Sequence, residues 1–310
     1  MIPVGTYSIK DLEQLSGIKA HTLRIWEQRY EIITPKRTKS NIRYYDDSDL
    51  KLVLNISYLN QNGHKISRIA KLRQEEIEKA VMSIASSNLE YPNQVNALII
   101  AMVSLNEARF EKIIATNTLQ FGFENTMIHI VYPFLERIGF LWQTGSINPA
   151  HEHFISNLIR QKLIVAIDGH ISSEHPHAKK YLLFLPEGET HELGLLFAAY
   201  IIKSRHNRMI YLGQNLPLDD LATTVHTYQP DYVLGIMTSC PIKEEAVRYA
   251  EELVQLFPQQ QILLTGYQAV SQKQEMPGAA IIFDEIAEMI EFVSQNSEMK
   301  TEPQQISQTA

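Results

Sequence analysis

The chain has 310 residues, of which 45% are hydrophobic and 20% are charged, a balance typical of folded globular proteins. This length predicts two or three domains. The single cysteine, Cys240, excludes a disulfide framework and a site built from several thiolates, and it favours a reducing, cytoplasmic location. No run of about 18 or more apolar residues occurs, so a membrane span is not expected.

The net charge of −7 is unevenly distributed along the chain. Residues 1–80 carry 14 Lys and Arg against 10 Asp and Glu, a net charge of +4, and the remainder carries −11. Between residues 17 and 45, seven basic side chains accompany two acidic ones. A basic amino-terminal segment on an acidic remainder predicts that only the first part of the chain meets a polyanion.

The pattern of residues 1–82 predicts short helices. A cap pattern at Ser8 precedes the first helix, and Gly17 ends it. A second helix follows, and then a turn between two short extended pieces. The next helix is capped by Asp46 or Ser48 and is followed by a further short helix.

Two helices joined by a glycine turn, with basic residues on the second, are the elements of a helix-turn-helix. The second helix would enter the DNA major groove with its N-terminal side chains, which here are His21, Thr22 and Arg24. The loop that follows would lie along the phosphates as a wing. Its basic residues are Lys36, Arg37, Lys39 and Arg43. The alternative is a small helical domain with a solvated basic face.

The segments YSIKDLEQLSGIKAHTLRIWEQRY and TPKRTKSNIRYYDDSDL resemble the winged-helix DNA-binding domain of the MerR family. The resemblance implies that Leu23 and Trp26 pack in the core. It also implies a set of residues that face DNA, namely Thr22, Arg24, Tyr30, Arg37, Arg43 and Tyr44. The long dimerising helix and the metal-binding cysteines of many MerR relatives are absent, which excludes metal sensing through thiolates. The effector is therefore expected to bind within residues 86–295.

Residues 86–172 are predicted to form a four-helix bundle. The amphipathic stretches are 92–104, 107–121, 124–140 and 149–170. In residues 180–295, short apolar runs alternate with helices, which predicts a doubly wound, flavodoxin-like parallel sheet with ligands beyond the carboxyl ends of its strands. The candidate strands are Tyr181–Leu185, Met209–Leu212, Tyr232–Met237, Ile262–Leu264 and Ala280–Phe283. Polar segments at 172–180 and 296–310 are predicted to be a linker and a disordered tail.

The segment PEGETHELG, residues 186–194, directly follows the first candidate strand. It would place His191 at the carboxyl end of a parallel strand, on a loop that enters a helix. Glu189 is positioned to accept the second imidazole N–H, which would fix the tautomer of a metal-ligating histidine and raise its basicity. Gly194 would allow a bulky group to approach the backbone. The alternative is a solvated loop histidine.

Glu189-x-His191-x-x-Gly194 resembles the D/E-x-H-x-x-G signature of cobalamin-binding domains, in which the histidine replaces the cofactor's own base as lower cobalt ligand. The resemblance implies that small residues after the later strands accommodate the nucleotide tail of cobalamin. Those residues are Gly213, Ser239, Thr265 and Gly266. Thr265 departs from the pair of glycines that the family carries at that point.

Trp142 is followed after nine residues by Glu152-His153. This Trp-x9-Glu-His spacing resembles the upper-face motif of CarH-type photoreceptors, which are MerR-family repressors that use adenosylcobalamin. The resemblance implies that Trp142 covers the upper axial ligand and that Glu152 and His153 line the same cavity. Light-responsive members carry a histidine directly after the tryptophan, whereas this chain has Gln143, a poorer cobalt ligand. A core tryptophan and a solvated helix start are the alternatives, and His-Glu-His does not match the zinc motif H-E-x-x-H.

These patterns predict a cobalamin-dependent, light-responsive, sequence-specific transcriptional regulator that represses and is not an enzyme. The expected cofactor is adenosylcobalamin, with methylcobalamin the second choice. The expected partners are an operator in double-stranded DNA and further copies of the chain, as a dimer or tetramer whose assembly the cofactor controls. Two alternatives stay open: a cobalamin-binding enzyme subunit such as a methyltransferase module, and a MerR-type regulator that no longer binds cofactor.

Overall fold

The computed structural model describes residues 6–38, 40–85, 91–143, 148–170 and 178–297. They form two compact units, one within residues 1–158 and the other within residues 159–310. We call these the amino-terminal unit and the carboxyl-terminal unit. Among the described residues, no helix is both long enough and apolar enough to cross a membrane.

Short helices and a two-stranded wing form the first part of the amino-terminal unit, as the sequence predicts. The elements are α1 (Ile9–Ser16), α2 (Ala20–Tyr30), β1 (Lys36–Arg37), β2 (Arg43–Tyr44), α3 (Asp47–Gln61), α4 (Ile66–Ile69) and α5 (Gln74–Ala85). Ser8 and Asp11 cap α1 reciprocally, each side chain accepting the other residue's backbone N–H. Gly17 ends α1 in the left-handed conformation (φ +71°), and Asp46 rather than Ser48 caps α3.

The wing is tied to the start of the chain by a backbone bridge. The N–H of Tyr7 donates to the carbonyl of Tyr45 at 2.7 Å, and the reverse bond is 2.9 Å. Both tyrosines are completely buried, together with Leu23 and Trp26 of α2. The apolar face of α2 is therefore used for packing, which leaves its basic face outward.

The second part of the amino-terminal unit is helical, and the four predicted stretches are confirmed. The elements are α6 (Tyr91–Val103), α7 (Glu107–Phe121), α8 (Phe123–Thr126), a π-helical turn (Met127–Val131), α9 (Tyr132–Gln143) and α10 (Pro149–Asp168). From residue 159 onward, α10 belongs to the carboxyl-terminal unit. Helix α6 is buried from Asn93 to Val103 and packs against α3, α7, α9 and the π-helical turn. Helix α3, which follows directly on the wing, packs against α6, so residues on both sides of the predicted boundary at 82–86 belong to one packed unit. The predicted division into domains stays a prediction.

The carboxyl-terminal unit confirms the predicted doubly wound parallel sheet. Its elements are β3 (Lys180–Pro186), α11 (Glu192–Ser204), β4 (Arg208–Leu216), α12 (Leu218–Tyr228), β5 (Tyr232–Ile236), α13 (Lys243–Leu256), β6 (Gln261–Thr265), α14 (Tyr267–Ser271), β7 (Ala280–Ile282) and α15 (Ile286–Asn296). All five strands are parallel in the order β4-β3-β5-β6-β7. Strands β3, β5 and β6 are buried apolar runs, as expected where helices cover both faces.

Several predicted boundaries differ from those in the structure. Strand β4 continues to Leu216 instead of ending at residue 212, so Gly213 lies within the strand and not after it. Because β4 is an edge strand, polar side chains at its end can face solvent, and the apolar run underestimates its length. Helix α15 includes residue 296, and residues 298–310 of the predicted tail lie outside the described part of the chain. Lys180 belongs to β3 rather than to the linker, and residues 172–177 of that linker lie outside the described part of the chain.

Candidate functional site

The order of the strands places two loops side by side. Strand β3 lies between β4 and β5, so the chain leaves β3 toward one edge of the sheet and later returns to its other side. This is a topological switch point, where the loops after β3 and β5 border a crevice at the carboxyl ends of the strands. The loop after β3 carries Glu189 and His191, and the loop after β5 carries Ser239.

Glu189 is completely buried and is hydrogen-bonded to both loops. Its Oε1 accepts the backbone N–H groups of Thr190 at 2.9 Å and His191 at 3.0 Å, and it lies 2.5 Å from Nδ1 of the His191 ring. Its Oε2 accepts three further backbone N–H groups, from Thr238 (2.9 Å), Ser239 (2.6 Å) and Cys240 (3.0 Å). The carboxylate thus joins the two loops into one element.

These contacts fix the charge of Glu189 and the tautomer of His191. Burial by itself would raise the pKa of the carboxyl, but the hydrogen bonds from the His191 ring and from the backbone of Ser239, His191 and Cys240 hold that pKa well below its ordinary value. Because Glu189 is an anion, Nδ1 of His191 is the protonated ring nitrogen and donates to it. In the neutral form of the ring the lone pair is then on Nε2. The His191 side chain is 58% exposed. This donor arrangement fits a histidine that ligates a metal ion through Nε2.

Sequence reasoning missed Glu192, the residue directly after His191. Its buried carboxylate accepts the Tyr211 hydroxyl and the Gln214 side-chain amide, each at 2.9 Å, and pairs with Arg160 at 2.7 Å. These bonds join the first turn of α11 to strand β4 and to helix α10. The available signal was a carboxylate at the start of the otherwise apolar helix ELGLLFAAYII.

The residues predicted to border the nucleotide tail also make contacts within the fold. The Ser239 hydroxyl lies 3.2 Å from Oε1 of Glu189, and the Thr265 hydroxyl donates to the Phe283 carbonyl at 2.9 Å. Gly266 has φ +96°, and a Cβ there would lie 2.6 Å from the Met237 carbonyl oxygen. No larger residue fits at that position without moving the backbone.

Gly194 and Gly213 also have roles within the fold itself. A Cβ at Gly194 would lie 3.2 Å from Cδ1 of Ile236, so this glycine lets α11 pack closely on β5. Gly213 has φ +77° and pairs with Phe184 at the point where the register of β3 and β4 shifts. The fold therefore accounts for both glycines whatever the ligand.

The residues predicted to meet the upper face of cobalamin belong to the amino-terminal unit. Trp142 and Gln143 close helix α9, and their side chains lie outside the described part of the chain. Glu152 is half-buried and His153 is exposed on the first turns of α10. The neighbouring His151 is buried, so the predicted solvated helix start applies to His153 but not to His151.

The residues predicted to face DNA lie on the surface of the amino-terminal unit. His21, Arg24, Arg37 and Arg43 are exposed, and Thr22, Tyr30 and Tyr44 are half-buried. Lys39 lies outside the described residues. Arg37 Nη1 donates to Oδ1 of Asn41 at 2.7 Å, which shapes the tip of the wing.

Two contacts of the wing were not predicted. Lys36 pairs with Asp46 and Asp49, each at 2.7 Å, and these carboxylates raise the pKa of its amine. The Lys36 ammonium thus holds the start of α3, and its expected position along the phosphates stays a prediction. The buried hydroxyl of Tyr45 donates a short hydrogen bond to Glu27 of α2, which fixes the wing against the recognition helix.

Two family models match the chain, and together they define its class. Residues 7–76 match the MerR HTH family regulatory protein, and residues 94–166 match the B12 binding domain. The chain therefore combines a MerR-type helix-turn-helix with a cobalamin-binding domain, as a transcriptional regulator of that type does. In fold, the chain is similar to the monomethylamine corrinoid protein of Methanosarcina barkeri, with a TM-score of 0.51. That likeness has 13% identity and covers 63% of this chain and 94% of the other.

Two named relatives match most of the chain. The chain is 28% identical over 239 residues to the HTH-type transcriptional repressor CarH of Myxococcus xanthus, covering 75% of this chain and 79% of the relative. It is 26% identical over 255 residues to the repressor CarA of the same organism, covering 80% and 82%. Both matches extend well beyond the helix-turn-helix.

Proposed function

We propose that the chain is a cobalamin-controlled, light-responsive transcriptional repressor that binds an operator in double-stranded DNA as a homo-oligomer. The observation that carries the proposal is the buried Glu189 carboxylate, which holds Nδ1 of His191 and leaves the lone pair of the ring on Nε2. Repression is proposed because both relatives are transcriptional repressors. The proposal assigns no catalytic step to the chain, and a cytoplasmic location suits it.

The lower face of the cofactor is assigned to the carboxyl-terminal unit. His191 is the proposed cobalt ligand, and Glu189 is the residue that orients it. The crevice at the switch point is the proposed site of the nucleotide tail. The residues proposed to border that tail are Gly194, Gly213, Ser239, Thr265 and Gly266.

The upper face is assigned to Trp142, Glu152 and His153, on the ends of α9 and α10. When bound, an alkylcobalamin supplies a cobalt–carbon bond that visible light breaks. Three side chains at this face favour adenosylcobalamin, whose upper group is much larger than the methyl group of methylcobalamin. Gln143 offers a carboxamide where light-responsive relatives offer an imidazole, so we expect the illuminated protein to hold its cofactor less tightly.

The DNA-binding part of the proposal rests on the exposed basic face of α2 and the wing. One such module buries too little surface for tight, specific binding, so a symmetric oligomer is required. We propose that the dark, adenosylcobalamin-bound chain forms the larger oligomer, up to a tetramer, and that light reduces it. Loss of assembly then weakens DNA binding.

Replacing His191 with Ala tests the central assignment. We expect the variant to lose tight adenosylcobalamin binding, or to bind it with the spectrum of a cofactor that keeps its own base. Absorption titration in the dark measures both properties. His226, an exposed histidine on α12, is the matched control, and its replacement with Ala should leave affinity and spectrum unchanged. Wild-type affinity together with a wild-type spectrum in the His191 variant would show that another group is the lower ligand.

Size-exclusion chromatography before and after green light tests the response to light. We expect a larger species in the dark with adenosylcobalamin and a smaller one after illumination. Gln143→His should lengthen the lifetime of the illuminated, cofactor-bound protein, because imidazole is the better cobalt ligand. An elution volume that neither cofactor nor light changes would eliminate the photoreceptor part of the proposal.

A further inference from the structure

A line of polar side chains crosses from the helical bundle to the helix-turn-helix within the amino-terminal unit. It begins at Arg137 of α9, whose Nη1 donates to Oδ1 of Asn96 at 2.6 Å. Asn96 of α6 in turn donates from Nδ2 to Oε1 of Gln61 at 2.7 Å. Gln61 is the last residue of α3, so two hydrogen bonds connect α9 to a helix of the winged module.

The line continues from α3 to the turn between α1 and α2. Gln61 donates to the hydroxyl of Ser57 at 3.3 Å, and that hydroxyl donates to the carbonyl of Ser16 at 2.7 Å. Ser16 is the last residue of α1, and its own hydroxyl accepts the backbone N–H of Ile18 at 3.2 Å. The line therefore ends on the turn that sets where the recognition helix starts.

Arg137 also reaches this turn directly. Its Nη2 lies 3.4 Å from the position that a Cβ would take at Gly17, the residue that ends α1. The carboxyl end of a helix carries partial negative charge, which favours a cation at this position. Burial lowers the pKa of the guanidinium from its ordinary value, yet an arginine remains charged at neutral pH. The charge of Arg137 is thus held where α1 can stabilise it.

Burial distinguishes this line from a surface network. Asn96, Ser57 and Ser16 are at most 3% exposed, and each is hydrogen-bonded. Buried polar groups are costly when unpaired, so the line favours one relative placement of α9, α3 and the turn.

We propose that this line, which we call the Arg137 joint (Arg137, Asn96, Gln61, Ser57, Ser16 and Gly17), couples helix α9 to the helix-turn-helix. The inference rests on the proposed function, because Trp142 lies on α9 five residues after Arg137 and is assigned there to the upper face of the cofactor. A displacement of α9 at Trp142 is then transmitted through these hydrogen bonds to the turn before α2. The placement of each recognition helix sets the half-site spacing that an oligomer can bind, so DNA affinity follows the state of the cofactor.

The test compares DNA affinity with and without adenosylcobalamin in the full-length protein, in the dark. The probe is a duplex selected in vitro by the wild-type protein, and the quantity is the ratio of the two dissociation constants. Wild type should give a ratio of about 5 to 150, the usual range for coupled sites. Arg137→Met should bring the ratio to within about twofold of 1 while absorption titration shows unchanged cofactor affinity.

A second variant and a control keep the result interpretable. Gln61→Ala removes an exposed member of the joint, should fold normally, and should reduce the ratio less than Arg137→Met does. Glu136→Ala changes the exposed neighbour of Arg137 on α9 and should keep the wild-type ratio.

The outcomes separate this inference from the proposed function. A wild-type ratio well above 1 that persists in both Arg137→Met and Gln61→Ala would refute the joint and leave the proposed function intact. A wild-type ratio of 1 despite tight cofactor binding would refute both. Loss of the ratio in Glu136→Ala as well would attribute the effect to α9 in general and would also overturn the joint.

Discussion

The two regions proposed to meet ligands are built in opposite ways. At the switch point of the sheet, Glu189 is completely buried and its two oxygens are bonded to the loops after β3 and β5. On the helix-turn-helix, Arg24 and Arg43 are exposed. The first region is shaped before any ligand arrives, which favours a rigid cofactor with fixed geometry. The second relies on charge and on where the rest of the chain holds it, which suits a flexible polyanion.

The difference explains where control can act. A rigid ligand site reports the presence of its ligand through small displacements of the elements attached to it. A basic surface with adaptable side chains changes its affinity mainly when whole modules are repositioned. Within the amino-terminal unit, the Arg137 joint is a contact that could reposition the helix-turn-helix, because it connects helix α9 to the turn before α2.

Glu189→Gln should loosen the preformed region at the switch point, and we expect it to have the largest effect. The glutamine side chain has nearly the same volume as glutamate but no charge. Its NH2 group replaces one carboxylate oxygen and cannot accept the backbone N–H groups that this oxygen accepts. We expect the free energy of unfolding of the carboxyl-terminal unit to fall by about 3 kcal/mol, since buried donors lose a charged acceptor. Chemical denaturation followed by circular dichroism measures it. Glu187→Gln, an exposed change in the same loop, should have no measurable effect.

The same variant sharpens the comparison when pH is changed. The pKa of Glu189 is depressed in the folded chain, so its stabilisation is fully present above its unfolded pKa of about 4.5 and is lost as pH falls below that value. We therefore expect the stability difference between wild type and Glu189→Gln to shrink steadily below about pH 4.5. A difference that stays constant through that window would show that Glu189 is protonated in the folded protein.

These expectations revise what the sequence alone suggested for Glu189. The motif placed it beside His191 as a residue that fixes the tautomer of the ring. Its hydrogen-bond donors Thr238, Ser239 and Cys240 follow it by about 50 residues in the sequence. They donate backbone N–H groups, which every residue except proline carries, so no sequence pattern predicts these bonds. The structure makes Glu189 a structural residue as well as a positioning one.

Other elements show the same limit. The strands of the sheet could be predicted because buried parallel strands are continuous apolar runs, and β4 was underestimated because an edge strand is not. Arg137 is a lone cation in the amphipathic sequence of α9, and nothing in the spacing distinguishes it from a solvated side chain. Periodicity identifies which face of a helix is buried, but a buried polar partner on another helix requires the three-dimensional arrangement.

The smallest effects are expected from substitutions of two basic residues of the wing. These substitutions test the exposed basic surface proposed to bind DNA. Arg43 is exposed, so Arg43→Ala should weaken binding to all duplexes alike and reduce the slope of log affinity against log salt by about 0.9, the value for one phosphate contact. Lys36 pairs with Asp46 and Asp49, so Lys36→Ala should leave that slope unchanged. It should instead lower the free energy of unfolding by less than about 1 kcal/mol, because the pairs are partly exposed.

Binding titrations at several salt concentrations and thermal melts of both variants measure these two effects. The variants remove the same charge a few residues apart, so net charge cannot explain a difference between them. Equal slopes in the two variants would show that both lysine and arginine act only through the overall charge of the wing. A loss of sequence preference in Arg43→Ala at an unchanged slope would instead place Arg43 on base edges, and the helix-turn-helix would then read DNA through its wing as well as through α2.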